Sequence, residues 1–289
     1  MLSRSSLALT ALALALTACG GGSGDGSAPA ELGSIRFEIT DAPIDPELIQ
    51  RAVLEVDAIR VHREADGADG FTTVFDAPRP LTVDLLTLRN GVTQPIEAGF
   101  LEPGLYRQAR LVVSDALLEL TSGKSYSTRD GTIHLTSQDT SGYKIFFDPP
   151  VEVRAGVETR VLLDFQVPKT FSPVPANDLD SARFFHLHPL VRFAVLQETG
   201  ELRAVVTTTD DQGAPIPAAS AALYVLDPGE SDLERAVAVT LTDDAGMAAI
   251  LGLPAGTFDV VATHQGLQAR QDGVVIAAES VTSVSLQVQ

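Results

Sequence analysis

The chain has no tryptophan and only four tyrosines in 289 residues. Sugar sites commonly stack such rings on pyranose faces, so a conventional aromatic platform has little to be built from. There is one cysteine, Cys19. Without a second, no intramolecular disulfide can form, and the fold must rest on its hydrophobic cores. Basic residues are scarce too, with 20 Lys and Arg against 38 Asp and Glu, a net charge of −18. Nucleic acid and bare anionic lipid are therefore poor partners. The histidines, at 62, 134, 186, 188 and 264, lack the His-Glu-x-x-His spacing of a zinc hydrolase. No Gly-x-Ser-x-Gly elbow presents a serine nucleophile either. These absences point away from catalysis.

What is present begins at the N-terminus. Residues 1–18 read as a signal peptide, with Arg4 as the positive segment and Leu7 to Leu16 as the apolar one. That run is shorter than the roughly 20 residues a membrane span needs. It ends in Leu16-Thr17-Ala18-Cys19, which resembles the bacterial lipobox. The resemblance implies cleavage before Cys19 and a diacylglycerol and acyl chains on its thiol, enough for stable anchoring. Gly20 follows, where an inner-membrane retention signal usually has Asp, so the expected address is the outer membrane. Residues 19–32, rich in Gly and Ser, are a flexible tether.

Strand signals dominate beyond the tether. Ile35 to Ile39 and Ala52 to Val61 alternate, and Leu111 to Val113, Val151 to Val153 and Val161 to Phe165 are short apolar runs. Turns are expected at Asp66-Gly67, Asn90-Gly91, Pro103-Gly104 and Asp130-Gly131. Short helical turns are expected over Leu81 to Leu88 and Asp45 to Gln50, and a last strand of this domain over Phe184 to Leu196. The pattern predicts an all-β chain of two antiparallel β-sandwich domains, a larger one over 33–199 and an immunoglobulin- or transthyretin-like one over 200–289.

Both segments resemble known families. Gly33 to about Gln197 resembles the bacterial domain of unknown function 4382. The match rests on Gly33-Ser34-Ile35-Arg36-Phe37-Glu38-Ile39-Thr40-Asp41-Ala42-Pro43, on Val53 to His62, on Pro103-Gly104-Leu105-Tyr106 through Leu111, and on Leu163-Asp164-Phe165 and His188-Pro189-Leu190-Val191. It departs from that pattern at Phe71, where Trp is usual, and in the His186/His188 pair. The family implies a fold but no activity. Gly200 to Val288 resembles the carboxypeptidase regulatory-like domain, related to Cna-B repeats and to carbohydrate-binding-like folds. Asp211 to Ala219, Thr242 to Gly246 and Leu253 to Val260 carry that resemblance, and they are turn and core positions.

Candidate sites are few. His186 and His188 would share a face if they lay on one strand, where a metal could take Asp178 or Asp180 as a third ligand. Two ordinary strand residues beside Pro189 is the simpler account. Asp41 with Asp45, Asp210-Asp211 and Asp243-Asp244 offer oxygens of the kind calcium takes. Capping of their own turns explains Asp41 and Asp244 with fewer assumptions. Arg107 and Arg110, beside Tyr106, are expected in structural ion pairs. No other cofactor is implied. The expected function is a membrane-anchored, non-catalytic envelope lipoprotein acting as a binding, adhesion or spacer module, with a protein or glycan partner. The alternative is a carbohydrate-binding lipoprotein that uses its C-terminal domain.

Overall fold

A computed structural model describes residues 31–41, 48–67, 70–136, 142–175 and 178–289. Cys19, tether residues 20–30 and Asp45 lie outside the described residues. The described chain is all-β, with one four-residue helical turn, Val167–Thr170, and three short 3-10 turns.

The N-terminal domain contributes β1 (Gly33–Asp41), β2 (Ile49–Arg63), β3 (Phe71–Asp84), β4 (Gln94–Leu101), β5 (Gly104–Leu120), β6 (Ser125–Ser127) and β7 (Ile133–Leu135). It continues with β8 (Tyr143–Val153), β9 (Glu158–Phe165), β10 (Phe171–Val174), β11 (Phe184–Leu187) and β12 (Val191–Val195). One sheet runs β12-β9-β1-β4, and a second runs β3-β2-β5 with β6 and β8 side by side on the far edge of β5. A small third sheet is β10-β11-β7. Alternation sends Ile35, Phe37 and Ile39 of β1 and Val161, Leu163 and Phe165 of β9 inward, where they share one core with Leu54, Ile59 and Leu111 of the facing sheet. Fully burying each such side chain is worth about 1.5–3 kcal/mol, so the two facing sheets hold one another.

The C-terminal domain contributes β13 (Thr199–Thr209), β14 (Pro215–Pro217), β15 (Ala222–Leu226), β16 (Ala238–Leu241), β17 (Met247–Pro254), β18 (Gly256–His264), β19 (Leu267–Ile276) and β20 (Val281–Gln287). Here β14-β13-β17, with β20 also on β13, faces β16-β15-β18-β19. A separate core, including Leu202, Leu223, Val260 and Ile276, fills the space between. The turn into β17 needs Gly246, whose φ is +72° and whose absent Cβ would lie 2.4 Å from the Val206 carbonyl oxygen.

The sheets are mixed rather than purely antiparallel, because β1 pairs with β9, β7 with β11 and β13 with β20 in parallel. Each such pair joins strands far apart in sequence, a register that local patterning does not encode. The expected single strand over Phe184 to Leu196 is two strands in different sheets. Pro189 interrupts it, having no amide hydrogen for a ladder. The expected helical turn over Leu81 to Leu88 is the end of β3 followed by a 3-10 turn at Leu85–Thr87, where the Leu86 amide donates to Asp84 Oδ1 at 3.3 Å.

Candidate functional site

Residues Glu31–Gln289 form one compact unit, so the two sandwiches meet without a free linker. One 3-10 turn, Leu196–Glu198, separates β12 from β13, and Thr199 Oγ1 donates to the Val195 carbonyl at 3.1 Å. Across the seam Arg192 Nη1 donates to the Val237 carbonyl at 2.7 Å. Gly252 sits at φ +72°, and a Cβ there would come within 3.0 Å of both Ala194 Cβ and Leu162 Cδ2. The backbone of β17 therefore lies directly on β9 and β12.

Between the sandwiches remains a cleft of about 250 Å³, lined by Thr40, Asp41, Asp164 and Arg192 on one side and Val239 and Leu251 on the other. Ligand pockets commonly run to about 300–1,000 Å³, so this is a seam with residual space. Its N-terminal wall is chemically unusual. Thr40 Oγ1 lies at the end of β1, 2.9 Å from the Leu88 carbonyl and 3.0 Å from that of Val92. Next to it Asp41 is 6% exposed, and neither of its carboxylate oxygens has a hydrogen bond of normal geometry among the described residues. Burial, reinforced by the neighbouring Asp164, pushes the Asp41 carboxyl up to about 9. The Val167 amide and the Arg89 guanidinium oppose that shift and are outweighed. Asp41 is therefore a neutral acid at pH 7. The turn that Asp41 was expected to cap, from Ala42 onward, lies outside the described residues.

The other predicted residues fall elsewhere. His186 lies on β11, but β11 stops at Leu187, and the His188 amide donates to the Thr170 carbonyl at 2.8 Å. The neighbour of His186 is His134 of β7, in parallel register with ring centroids 5.6 Å apart, and Phe184 stacks on His134 at 4.6 Å. Asp178 accepts the Ser181 amide at 2.6 Å, and Asp180 accepts Ser122 Oγ at 2.5 Å. Both acids thus fix the segment before β11. Among the described residues no group of three or more His, Cys, Asp or Glu side chains is arranged to hold a metal.

Turn capping does occur in the C-terminal domain. Asp210 Oδ1 accepts the Gln212 and Ala214 amides at 2.9 and 2.8 Å, and Asp243 Oδ1 accepts those of Ala245 and Met247, both at 2.9 Å. The capping member of the second pair is Asp243, not Asp244. Sequence reasoning also missed Asp259, 4% exposed, which accepts the Gly229 and Gly273 amides at 2.8 and 2.9 Å and Arg270 Nη2 at 2.6 Å. Those two amides, with Arg270, hold its carboxyl below the usual range. This cross-strand clamp ties the β15–β16 connection to β18 and β19.

Of the two arginines, Arg107 does form an ion pair, Nη2 to Glu64 Oε1 at 2.8 Å. Arg110 instead lays its guanidinium 3.7 Å from the centroid of Phe71. The unusual Phe71 is thus one face of a cation–π contact on the outer surface of the β3-β2-β5-β8 sheet.

Comparison with known proteins adds a family. The domain described as a domain of unknown function (DUF4382) matches residues 32–179. No curated protein matches. Among solved structures, the chain is 15% identical to a putative carbohydrate binding protein from Pseudomonas aeruginosa. That likeness covers 32% of this chain and 91% of the other, with a TM-score of 0.24. It is 12% identical to a minor pilin of Streptococcus agalactiae over 88% of this chain and 94% of the pilin, TM-score 0.24. It is 8% identical to the shaft pilin of Lactobacillus rhamnosus GG over 89% and 98%, TM-score 0.22. Likenesses this slight carry no information on function.

Proposed function

The chain belongs to the DUF4382 family, a domain of unknown function, and we propose that it works as a lipid-anchored, non-catalytic module of the bacterial envelope. In this reading Cys19 carries the acyl chains that hold it in the outer membrane, and residues 20–32 let it stand off the surface. The two sandwiches then form a stiff arm that carries a binding face. We assign the C-terminal sandwich to the carboxypeptidase regulatory-like class, as the structural half of that arm.

The observation that supports this reading is the junction. A binding or adhesion arm must transmit position from anchor to contact face, and a flexible hinge would dissipate it. Here β13 begins one 3-10 turn after β12, and Gly252 brings the backbone of β17 against the Ala194 and Leu162 side chains. The recurrent polar constellations, at Asp210, Asp243 and Asp259, satisfy backbone amides.

The test is fractionation of bacteria making the wild-type chain or Cys19→Ser, labelled with an alkynyl fatty acid, followed by capture of envelope partners on the purified protein. Fatty-acid label in the wild type alone, outer-membrane recovery that depends on Cys19, and a retained partner support the reading. Label-free, fully soluble wild-type protein would refute it.

A further inference from the structure

The outer face of the small β10-β11-β7 sheet brings together two histidines from distant parts of the sequence. Phe185 and Leu187 of β11 and Ile133 of β7 point into the N-terminal core. The residues that alternate with them, Phe184 and His186 on β11 and His134 on β7, therefore stand on the opposite face. The two strands run in parallel with His134 directly opposite His186. Their ring centroids are 5.6 Å apart at an interplanar angle of 66°. His134 is exposed and His186 half-buried, so solvent reaches both.

The backbone that presents the pair is held firmly. The Phe185 amide donates to the Thr132 carbonyl at 2.8 Å, and Asp130 Oδ1 accepts the Thr132 amide at 2.9 Å. Asp178 and Asp180, the third ligands that the sequence suggested, instead fix the segment before β11 through Ser181 and Ser122. Each ring is also prepared for a ligand. His134 Nε2 lies 3.0 Å from the Gly131 carbonyl oxygen. A carbonyl only accepts, so Nε2 carries the proton and Nδ1 of the neutral ring keeps its lone pair. Donation of one ring N–H to a backbone carbonyl is the arrangement that orients metal-bound histidines and raises their basicity. The His186 ring has no hydrogen bond to a described residue, and its ring neighbours are His134 and, at 5.3 Å, Phe184. Its χ2 torsion is broad and leaves the ring free to turn a nitrogen toward His134.

We propose that His134 and His186 bind a transition-metal dication of the zinc class between them, with water completing its coordination. Zinc–nitrogen bonds are about 2.0–2.1 Å long and a ring centre lies about 1.2 Å beyond the nitrogen, so two imidazoles on one tetrahedral ion have centroids about 5.2 Å apart. The observed 5.6 Å is within about half an ångström of that spacing. Imidazole suits zinc, copper and nickel, whereas calcium and magnesium take oxygen ligands, which sets the class of ion. Phe184 stacks on the face of His134 at 4.6 Å and so leaves the ring edge, which carries the nitrogens, to the ion. Two protein nitrogens hold a metal less firmly than the four ligands of a closed structural site, so the ion is exchangeable. Bound there, it ties β7, a three-residue strand at the edge of its sheet, to β11 and stabilises the folded chain.

The inference stands apart from the envelope reading and does not depend on it. The test is calorimetric titration of the purified full chain, carrying no histidine tag, with zinc chloride. Calcium and magnesium chloride serve as controls, and the imidazole NMR signals of the five histidines are followed in parallel. One zinc per chain is expected, with the signals of His134 and His186 moving and no binding of calcium or magnesium. His134→Gln and His186→Phe should each weaken zinc binding at least roughly tenfold, while His188→Ala binds as the wild type does. His186→Phe keeps a ring against Phe184, so it should melt as the wild type does without metal, and zinc should raise the melting temperature of the wild type alone. No zinc binding by folded protein, wild-type affinity in His134→Gln or His186→Phe, or equal binding of calcium would each overturn the inference. So would zinc-dependent shifts at His62, His188 or His264 without shifts at the pair. The NMR signals are read on the wild-type chain, so the test holds even if a variant fails to fold.

Discussion

Replacing Asp41 by Asn should remove a pH dependence that the wild-type protein carries. Burial and the neighbouring Asp164 raise the carboxyl from 3.8 to about 9 in the folded chain. Because the folded value lies above the unfolded one, the contribution of this group to stability is complete below about pH 4. It is lost as pH rises, since the unfolded chain gives up the proton and the folded chain holds it. One unit of pH is worth about 1.4 kcal/mol, so the loss between pH 4 and pH 7 reaches about 4 kcal/mol if nothing relaxes. Structural relaxation and water entry would reduce that figure, but not its sign. Asparagine has nearly the shape of the neutral acid and no proton to release. Urea midpoints measured from pH 5 to 8 should therefore fall steeply for the wild type and much less for Asp41→Asn. At pH 8 the variant should be the more stable of the two. Parallel slopes for the two proteins would refute the assignment of Asp41 as a buried neutral acid.

Three further perturbations probe separate parts of the molecule. Gly252→Ala places a Cβ within 3.0 Å of Ala194 and Leu162 at a positive φ. It should cost about 1–2 kcal/mol and open the seam between the sandwiches, seen as faster proteolysis near residues 196–199 with both cores still folded. Phe185→Ala empties a fully buried site packed edge-on against Tyr126 at 4.7 Å, and should lower unfolding free energy by about 3–5 kcal/mol in a urea titration. Asp259→Ala breaks the clamp to Gly229, Gly273 and Arg270. The folded carboxyl of the wild type is held low, so its contribution is present above about pH 4 and is lost as pH falls through the folded value. The melting deficit of the variant should thus be large at neutral pH and shrink in strong acid; a constant deficit would count against the clamp.

Much of the fold is readable from the residues because its signals are local. Period-two alternation at Ile35, Phe37 and Ile39 is enough to place a half-buried strand, and Asn90-Gly91 is enough to place a turn in which both residues take positive φ. The breaks in that reading share one cause. Whether β1 pairs in parallel with β9, and whether Phe184 to Leu196 is one strand or two, depends on partners more than a hundred residues distant or on a small third sheet. Asp41 illustrates the same limit at a single residue. Its sequence context, Thr-Asp-Ala-Pro, fits a turn cap, and only the packing of β9 beside β1 reveals a carboxyl shut away from water.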